Sequence, residues 1–488
     1  MSISCNKLLA LALSTLTFIP DSLALTSLAK NDPDPVYTSL DPHYFLYTRK
    51  KLELKGYDVI PDRLERIGIS ISPFGHNADD GKDINGQFAN LGDMNGGRWN
   101  MLALMYGQTP AGCVLPPCLE QAQKCIFNGD FQNCIITPTP GATEPIRAVN
   151  NPEYIDQCQE IGFFTIPMVY RKRGVRFEFD AMIHADFGVS LQTGVTDITQ
   201  ILTATCEVQE FINLTNLNTG TSSEADNWFG NSGCAAALSR CNINQCLMDQ
   251  VKPITQELCL NIGNFHAVSI EEIRLNAFWR HAFPFNTNTD DDWPQFLLIP
   301  FFQASGSCSL AKPTSEHKAF AVPLGNNRHA SAGFNTGVNI DFFDTVEIGG
   351  EFGYTHFFAR SHVDMRVPNS PYQTGIYPFR TQVKLQPGSN WNFAAKMSAY
   401  HFIDRLSMYF QWMLIDHTRD EICLECPDCA FFPGVLEARS DWKIQVANVG
   451  FNYDISPYVS LGFLWQAPLN QKNVYKSSLV MLSLNGSY

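Results

Sequence analysis

The chain has 488 residues, 45% of them apolar, 12% aromatic and only 17% charged. That balance excludes a disordered chain, and 34 Lys and Arg against 48 Asp and Glu, a net charge of -14, lacks the basic footprint of a nucleic-acid binder. Beyond the N-terminus there is no run of about 18 apolar residues, which excludes ordinary helical membrane proteins but not a barrel of alternating strands.

At the start, Lys7 precedes an apolar run from Leu8 to Ile19, followed by Pro20 and small residues. Ser22 and Ala24 suit the −3 and −1 positions of a cleavage site, so residues 1–24 read as a secretory signal peptide. Residues 25–65 read as a periplasmic segment, an additional strand or a lumen plug. Within them, Asp32 to Asp41 is a Pro-rich linker and Tyr44 to Leu54 is aromatic and basic. Of the 15 cysteines, only Cys5 falls in the signal peptide; the even remainder in an exported chain suggests disulfides. They gather at 113–158, 206–259 and 423–429, with Cys308 apart, which predicts stapled loops and a partner for Cys308 among Cys423, Cys426 and Cys429.

Predicted strands begin at 66–74 and 98–107. Val175, Phe177, Phe179, Ala181 and Ile183 then alternate with Arg176, Glu178, Asp180 and His184, turn near Ala185-Asp186, and return as Phe187, Val189 and Leu191. Residues 271–283 carry two signals. Ser269 and Glu272 form a capping box for a helix, while Ile273, Leu275, Ala277, Trp279 and His281 alternate as a strand, which chain parity favours. Further on, Phe334, Thr336, Val338, Ile340 and Phe342 turn at Phe343-Asp344-Thr345 into Val346, Ile348, Gly350, Phe352 and Tyr354. The unit recurs at 391–414 around Ile403-Asp404-Arg405 and at 441–465 around Ile455-Ser456-Pro457. In the latter the apolar face switches between Val446 and Val449, as a bulge would make it do. Thr381 to Leu385 also alternates but by parity belongs to a loop. Long connections at 197–269, 304–329, 358–389 and 417–440 separate these hairpins.

Short turns at one end, long loops at the other and strands of about ten residues are the pattern of a transmembrane β-barrel. Trp391, Tyr354, Trp412 and Trp465 suit interfacial aromatic girdles. The expected fold is all-β: an antiparallel barrel of about 14 strands, with 12 as the alternative, over residues 66–488 and with long Cys-rich outer loops. The final segment places Val480, Leu482, Leu484 and Tyr488 on one face and Ser483, Asn485 and Ser487 on the other. Here the chain resembles bacterial outer-membrane β-barrel proteins, over residues 66–74, 98–107 and 162–488. That resemblance implies a bacterial outer-membrane location, contact with its lipid, and recognition of the last strand, ending at Tyr488, by the barrel-assembly machinery. It leaves homo-oligomerisation open.

If the apolar faces meet lipid, the alternate faces meet a lumen. Arg176, Glu178, Asp180, Glu347, Glu351 and Lys396 are then the expected pore-lining residues, joined by Asn335, Asn339, Asn392 and Gln411. The function this predicts is a porin-like channel for passive diffusion of small polar solutes or ions, without cofactor, metal or catalysis. One alternative is a structural or adhesive barrel whose disulfide-stapled loops bind partners. Another is an outer-membrane hydrolase in which His362 and Asp364 activate water. The acid-rich stretches around Asp79, Asp80, Asp83, Asn85, Asp93 and Asn95 and at Asp290-Asp291-Asp292 fit no EF-hand register and read as solvated loops. Cys423, Cys426 and Cys429 lack a nearby fourth thiolate and read as disulfide partners rather than a metal site.

Overall fold

The computed structural model describes residues 67–94, 98–100, 104, 163–184, 186–202, 254–287, 294–310, 317–319, 321, 325–342, 345–403, 405–425, 428, 430–456 and 458–487. The signal peptide, the segment 25–65 and the acidic triplet at 290–292 lie outside them. Period-two sequences become long antiparallel strands: β1 (Ile67–Lys82), β2 (Met168–His184), β3 (Phe187–Leu202), β4 (Glu272–Arg280), β5 (Pro294–Ser309) and β6 (Ser331–Phe342). They continue as β7 (Val346–Phe357), β8 (Asn390–Ile403), β9 (Leu406–His417), β10 (Trp442–Ser456), β11 (Val459–Lys472) and β12 (Val474–Ser487). Each pairs with its neighbours in chain order, and β1 pairs with β12, closing a twelve-stranded barrel. Closure leaves no strand edge unpaired in hydrocarbon.

The leading expectation of about 14 strands is too high and the alternative of 12 is the one observed, for a local reason. Within 98–107, Trp99–Asn100 makes a two-residue ladder with Phe163–Phe164, separate from the barrel sheet. β1 pairs directly with β2, from Ile67↔Ala181 to Ala78↔Tyr170, so both ends of the 83–167 connection lie at the long-loop end. The segment with mixed signals is a strand. Phe265–Ile270 and β4 both pair with β3 and are interrupted only at Glu271.

Outside, the alternation delivers apolar side chains all around the wall. Ile69, Phe179, Leu275, Phe302, Ile348, Phe393, Phe463 and Leu482 are all exposed. Such a continuous belt is untenable in water, and hydrocarbon is the solvent that accepts it. Tyr354 and Trp391 meet at the loop end, ring centroids 4.6 Å apart, as a girdle requires. Trp412 instead pairs with Ala395, nearer mid-strand.

β10 shows why an apolar face can switch without a kink. Its burial alternates unbroken, so Trp442, Ile444 and Val446 point inward and Phe451 and Tyr453 outward. The interior is what changes: apolar near the loops, it becomes polar from Asn448 onward. The irregularity lies in the partner strand, where Gln445 pairs with Asn470 but Val446 with Pro468, leaving Leu469 as the extra residue.

At the long-loop end a second, three-stranded sheet forms from Arg360–Arg366, Arg380–Gln386 and Glu421–Leu424, which accounts for the alternation at Thr381 to Leu385. It has its own core of Met365, Val367, Tyr377, Phe379, Val383, Leu385, Ile422, Phe431 and Leu436. Among the described residues, Cys259, Cys308 and Cys423 are free thiols. The expected bridge from Cys308 to the 423–429 group is therefore not made through Cys423. Cys308 lies on β5, where strand geometry turns it outward.

Candidate transport pathway

The inner wall begins with a simple consequence of alternation: whatever sits opposite a lipid-facing residue faces the barrel interior. The six residues expected to line a pore, Arg176, Glu178, Asp180, Glu347, Glu351 and Lys396, are on the inward face and each buried. Asn335, Asn339, Asn392 and Gln411 are buried beside them. The structure adds Lys172, Glu271, Glu272, Arg274, Arg280, Asp341 and Asp454.

Charge is concentrated on β2 to β8, where opposite charges pair both within a strand and between strands. Glu271 accepts from Arg176 Nε at 3.2 Å and lies 3.1 Å from Lys172 Nζ. Arg274 meets Glu272 at 2.6 Å, Arg280 meets Glu347 at 3.5 Å, and Lys396 meets Glu351 at 3.8 Å. Glu351 also accepts from Gln411 Nε2, whose own Oε1 accepts from Asn448, both at 2.9 Å, carrying the network from β7 to β10. Buried charges need such partners, because desolvation otherwise costs several kcal/mol. Arg176 and Lys396 further lie over the rings of Phe74 and Phe301, at 4.2 and 4.9 Å.

Glu271 is invisible to period-two reasoning. Gln192 pairs with Arg274 but Val195 with Ile270, so β4 carries one extra residue there. This bulge turns two successive carboxylates, Glu271 and Glu272, into the interior. Gly194 makes room: a Cβ on it would sit 2.6 Å from Glu271 Oε2. Lys172, Arg274 and Arg280 were within reach of the sequence, since they share the faces already marked by Arg176 and by the gaps between Ile273, Leu275 and Ala277.

The rest of the wall, on β9 to β12 and β1, is mostly hydroxyl and amide. Ser407, Asn452, Ser460, Ser483, Asn485, Ser70 and Ser72 are all buried there, and Asn485 accepts from Ser70 at 2.7 Å. Toward the loop end polarity falls away. Ala78, Tyr170, Ile198 and Tyr475 of the wall join Leu91, Met94, Trp99, Leu104, Ile254, Leu258, Leu260, Ala319, Ala321 and Ile376 from the connections in one apolar cluster. The loops thus fold inward across the outer mouth. Gly375, at φ +79, lies against Trp99; a Cβ on it would sit 2.7 Å from the indole. Thr374 Oγ1 donates to the Arg98 carbonyl and Gln373 Nε2 to that of Leu104, tying two connections together.

Two titrating groups lie at the loop end. Burial pushes Asp93 up to about 7, against the opposing Ile166 N–H, Thr165 and Arg98. Asp93 therefore sits inside the cap rather than in a solvated acidic loop, whereas Asp83 does head an exposed turn, accepting from the Asn85 and Gln87 N–H groups. Burial also lowers His329, whose ring lies 5.5 Å from that of His362. His362 is buried, and it shares the outer-sheet strand Arg360–Arg366 with Asp364. His417, unmarked by the sequence, contacts Asp420 at 3.0 Å and Asn390 at 2.6 Å while stacking on Trp442.

No protein-family model matches the chain, and no curated protein does. Among solved structures it is similar to the COG4313 outer membrane channel from Pseudomonas putida F1, at 7% identity and a TM-score of 0.42, covering 88% of this chain and 100% of that one. It is similar to the translocator domain of autotransporter NalP from Neisseria meningitidis, at 7% identity and TM-score 0.31, covering 91% and 100%. A Pseudomonas aeruginosa FadL homologue matches at 9% identity and TM-score 0.26, covering 96% and 98%. The architecture described above, a closed barrel with an apolar outer belt, is that of an outer-membrane β-barrel, with no subfamily singled out.

Proposed function

We propose that the barrel is a gated outer-membrane channel for small polar solutes, with a preference for cations. The supporting observation is the inner wall: a closed ring of polar and charged side chains in which Glu178, Asp180, Glu271, Glu272, Asp341, Glu347, Glu351 and Asp454 outnumber Lys172, Arg176, Arg274, Arg280 and Lys396. An acid-rich lumen concentrates cations and repels anions. Arg176, Glu178, Asp180, Glu347, Glu351 and Lys396 act as lining residues in this reading, and the apolar cap of inward-folded loops is the outer gate.

Recording single channels of the full-length protein in a planar bilayer, across a salt gradient and a range of voltages, tests the reading. Stepwise openings with a cation-selective reversal potential are expected. A protein that inserts yet stays silent at every voltage would overturn it.

A further inference from the structure

The outer face of β2 changes character near the loop end. Tyr170, Lys172 and Arg176 point inward, so the residues between and beyond them face out. Val175, Phe177, Phe179 and Ile183 are apolar there, and above them stand Arg171 and Arg173, both exposed. From Arg173 to Ile183 the strand rises about 26 Å along the barrel axis, at about 3.4 Å per residue and a tilt of about 40°, which matches the roughly 25 Å height of a barrel's apolar band. Arg173 thus marks the edge of the hydrocarbon, and the long loops make that edge the outer leaflet. Other outward cations on this rim are matched: Lys443 lies 2.8 Å from Asp416, Lys472 3.1 Å from Asp441 and Lys476 3.9 Å from Asp80. Among the described residues, neither the Arg171 nor the Arg173 side chain has an ion pair or a hydrogen-bond partner. The acids beside them are engaged. Asp197, opposite Arg173, lies 2.8 Å from His266 Nε2, and Asp79 accepts from Asn77 Nδ2 at 3.1 Å.

We propose that Arg171 and Arg173 bind the phosphomonoester of an outer-leaflet lipid whose acyl chains run down the wall beside them. Charge favours it. A phosphomonoester carries about −1.5 to −2 charges at pH 7 and three acceptor oxygens, and guanidinium forks match it bidentately. The register sets Arg171 between Asn77 and Thr199, neutral side chains that face the same way and can share the headgroup's hydrogen bonds. Shape favours it too. Gly75 lies beside Arg173 on β1, and a Cβ on it would meet nothing within 4 Å. With Pro73 next below, it forms the floor of a shallow groove between Val175 of β2 and Val480 of β12. The groove opens into the apolar belt, so a lipid gains hydrocarbon contact that a free anion lacks. This inference needs the outer-membrane location and not the channel reading.

Native mass spectrometry of the folded, full-length protein in neutral detergent tests the site. The probes are a diphosphoryl glycolipid (lipid A) and the same lipid with its phosphates removed. The phosphorylated form should bind about tenfold more tightly. That preference should vanish in Arg171→Gln/Arg173→Gln. It should survive in part in Arg171→Lys/Arg173→Lys, which keeps the charge and loses the fork. Lys443→Gln, at a matched position on the rim, should keep all of it. Gly75→Phe, which fills the groove, should weaken both forms alike. Equal binding of the two forms by the wild type overturns the proposal, and so does an undiminished preference in the glutamine pair. Displacement of the lipid by millimolar inorganic phosphate overturns it in favour of a free-anion site. Should the glutamine pair fail to fold, the wild-type comparison, the lysine pair and Gly75→Phe still decide.

Discussion

Trp99 is the side chain on which the outer gate should depend most. It is the largest of the fully buried side chains and belongs to the apolar cluster that draws four connections together across the mouth. An indole buries roughly 200 Å² of largely apolar surface, worth up to about 5 kcal/mol at about 25 cal/mol per Å². Measured Trp-to-Ala exchanges fall at about 3–5 kcal/mol, because cavities partly collapse. Gly375, pressed against the ring, has no side chain with which to fill the gap. Taking about 3 kcal/mol, Trp99→Ala should disfavour the closed cap about 150-fold relative to arrangements in which residue 99 meets water. The barrel wall does not include Trp99, so heat-modifiable migration on gels should be unchanged. Open probability in bilayers, read beside protease cleavage of the 83–167 connection, measures the shift. A variant whose open probability and loop cleavage both match wild type would refute the assignment of this cluster as a gate.

The remaining predictions probe charge, pH and the outer sheet. Glu351→Gln should move the reversal potential toward anions and Lys396→Gln toward cations, because each removes one sign from a wall pair. Asp93 is raised to about 7, so the cap's stability from this group is full below the ordinary carboxylate value of 3.8 and is lost as pH rises through about 7. Loop cleavage should rise across that window and the rise should vanish in Asp93→Asn. His329, lowered by burial, works oppositely: its contribution is present above 6.5 and is lost as pH falls below that value, a loss that His329→Gln should flatten. Leu385→Ala, at a fully buried site of the small outer sheet, should cost about 2–5 kcal/mol there and speed proteolysis of residues 358–440. The barrel's unfolding in urea should stay unchanged; a parallel drop would show that the two sheets unfold as one.

How much of this was legible in the sequence follows from where each constraint originates. A strand between lipid and a polar lumen must alternate, so β6 to β9 and their turns could be read residue by residue, as could the inward positions of Arg176, Glu178 and Glu347. Alternation fails where both sides of the wall have the same polarity. Near the mouth, β10 offers Ile444 and Val446 to an apolar interior while its outer face still meets hydrocarbon, and the pattern mimics a bulge that in fact lies at Leu469. The true bulge in β4 left no such trace, because Glu271 simply follows Ile270 and its effect depends on Gly194 across the ladder.

The cap was beyond reach for a different reason. Its members come from β1, β2, β3, β12 and the connections between strands, and each connection contributes only one to four apolar residues, too few to establish any period. Trp99 beside Asn100 reads as the start of a strand because alternation reports only that one face is apolar. It does not say whether lipid or a plugged mouth supplies the apolar side. The same ambiguity explains the strand overcount, and it locates the function. In the proposed channel, a hydrated solute would pass where inner-wall polarity persists, and the loops would have to move where it gives way to Trp99, Tyr170 and Tyr475.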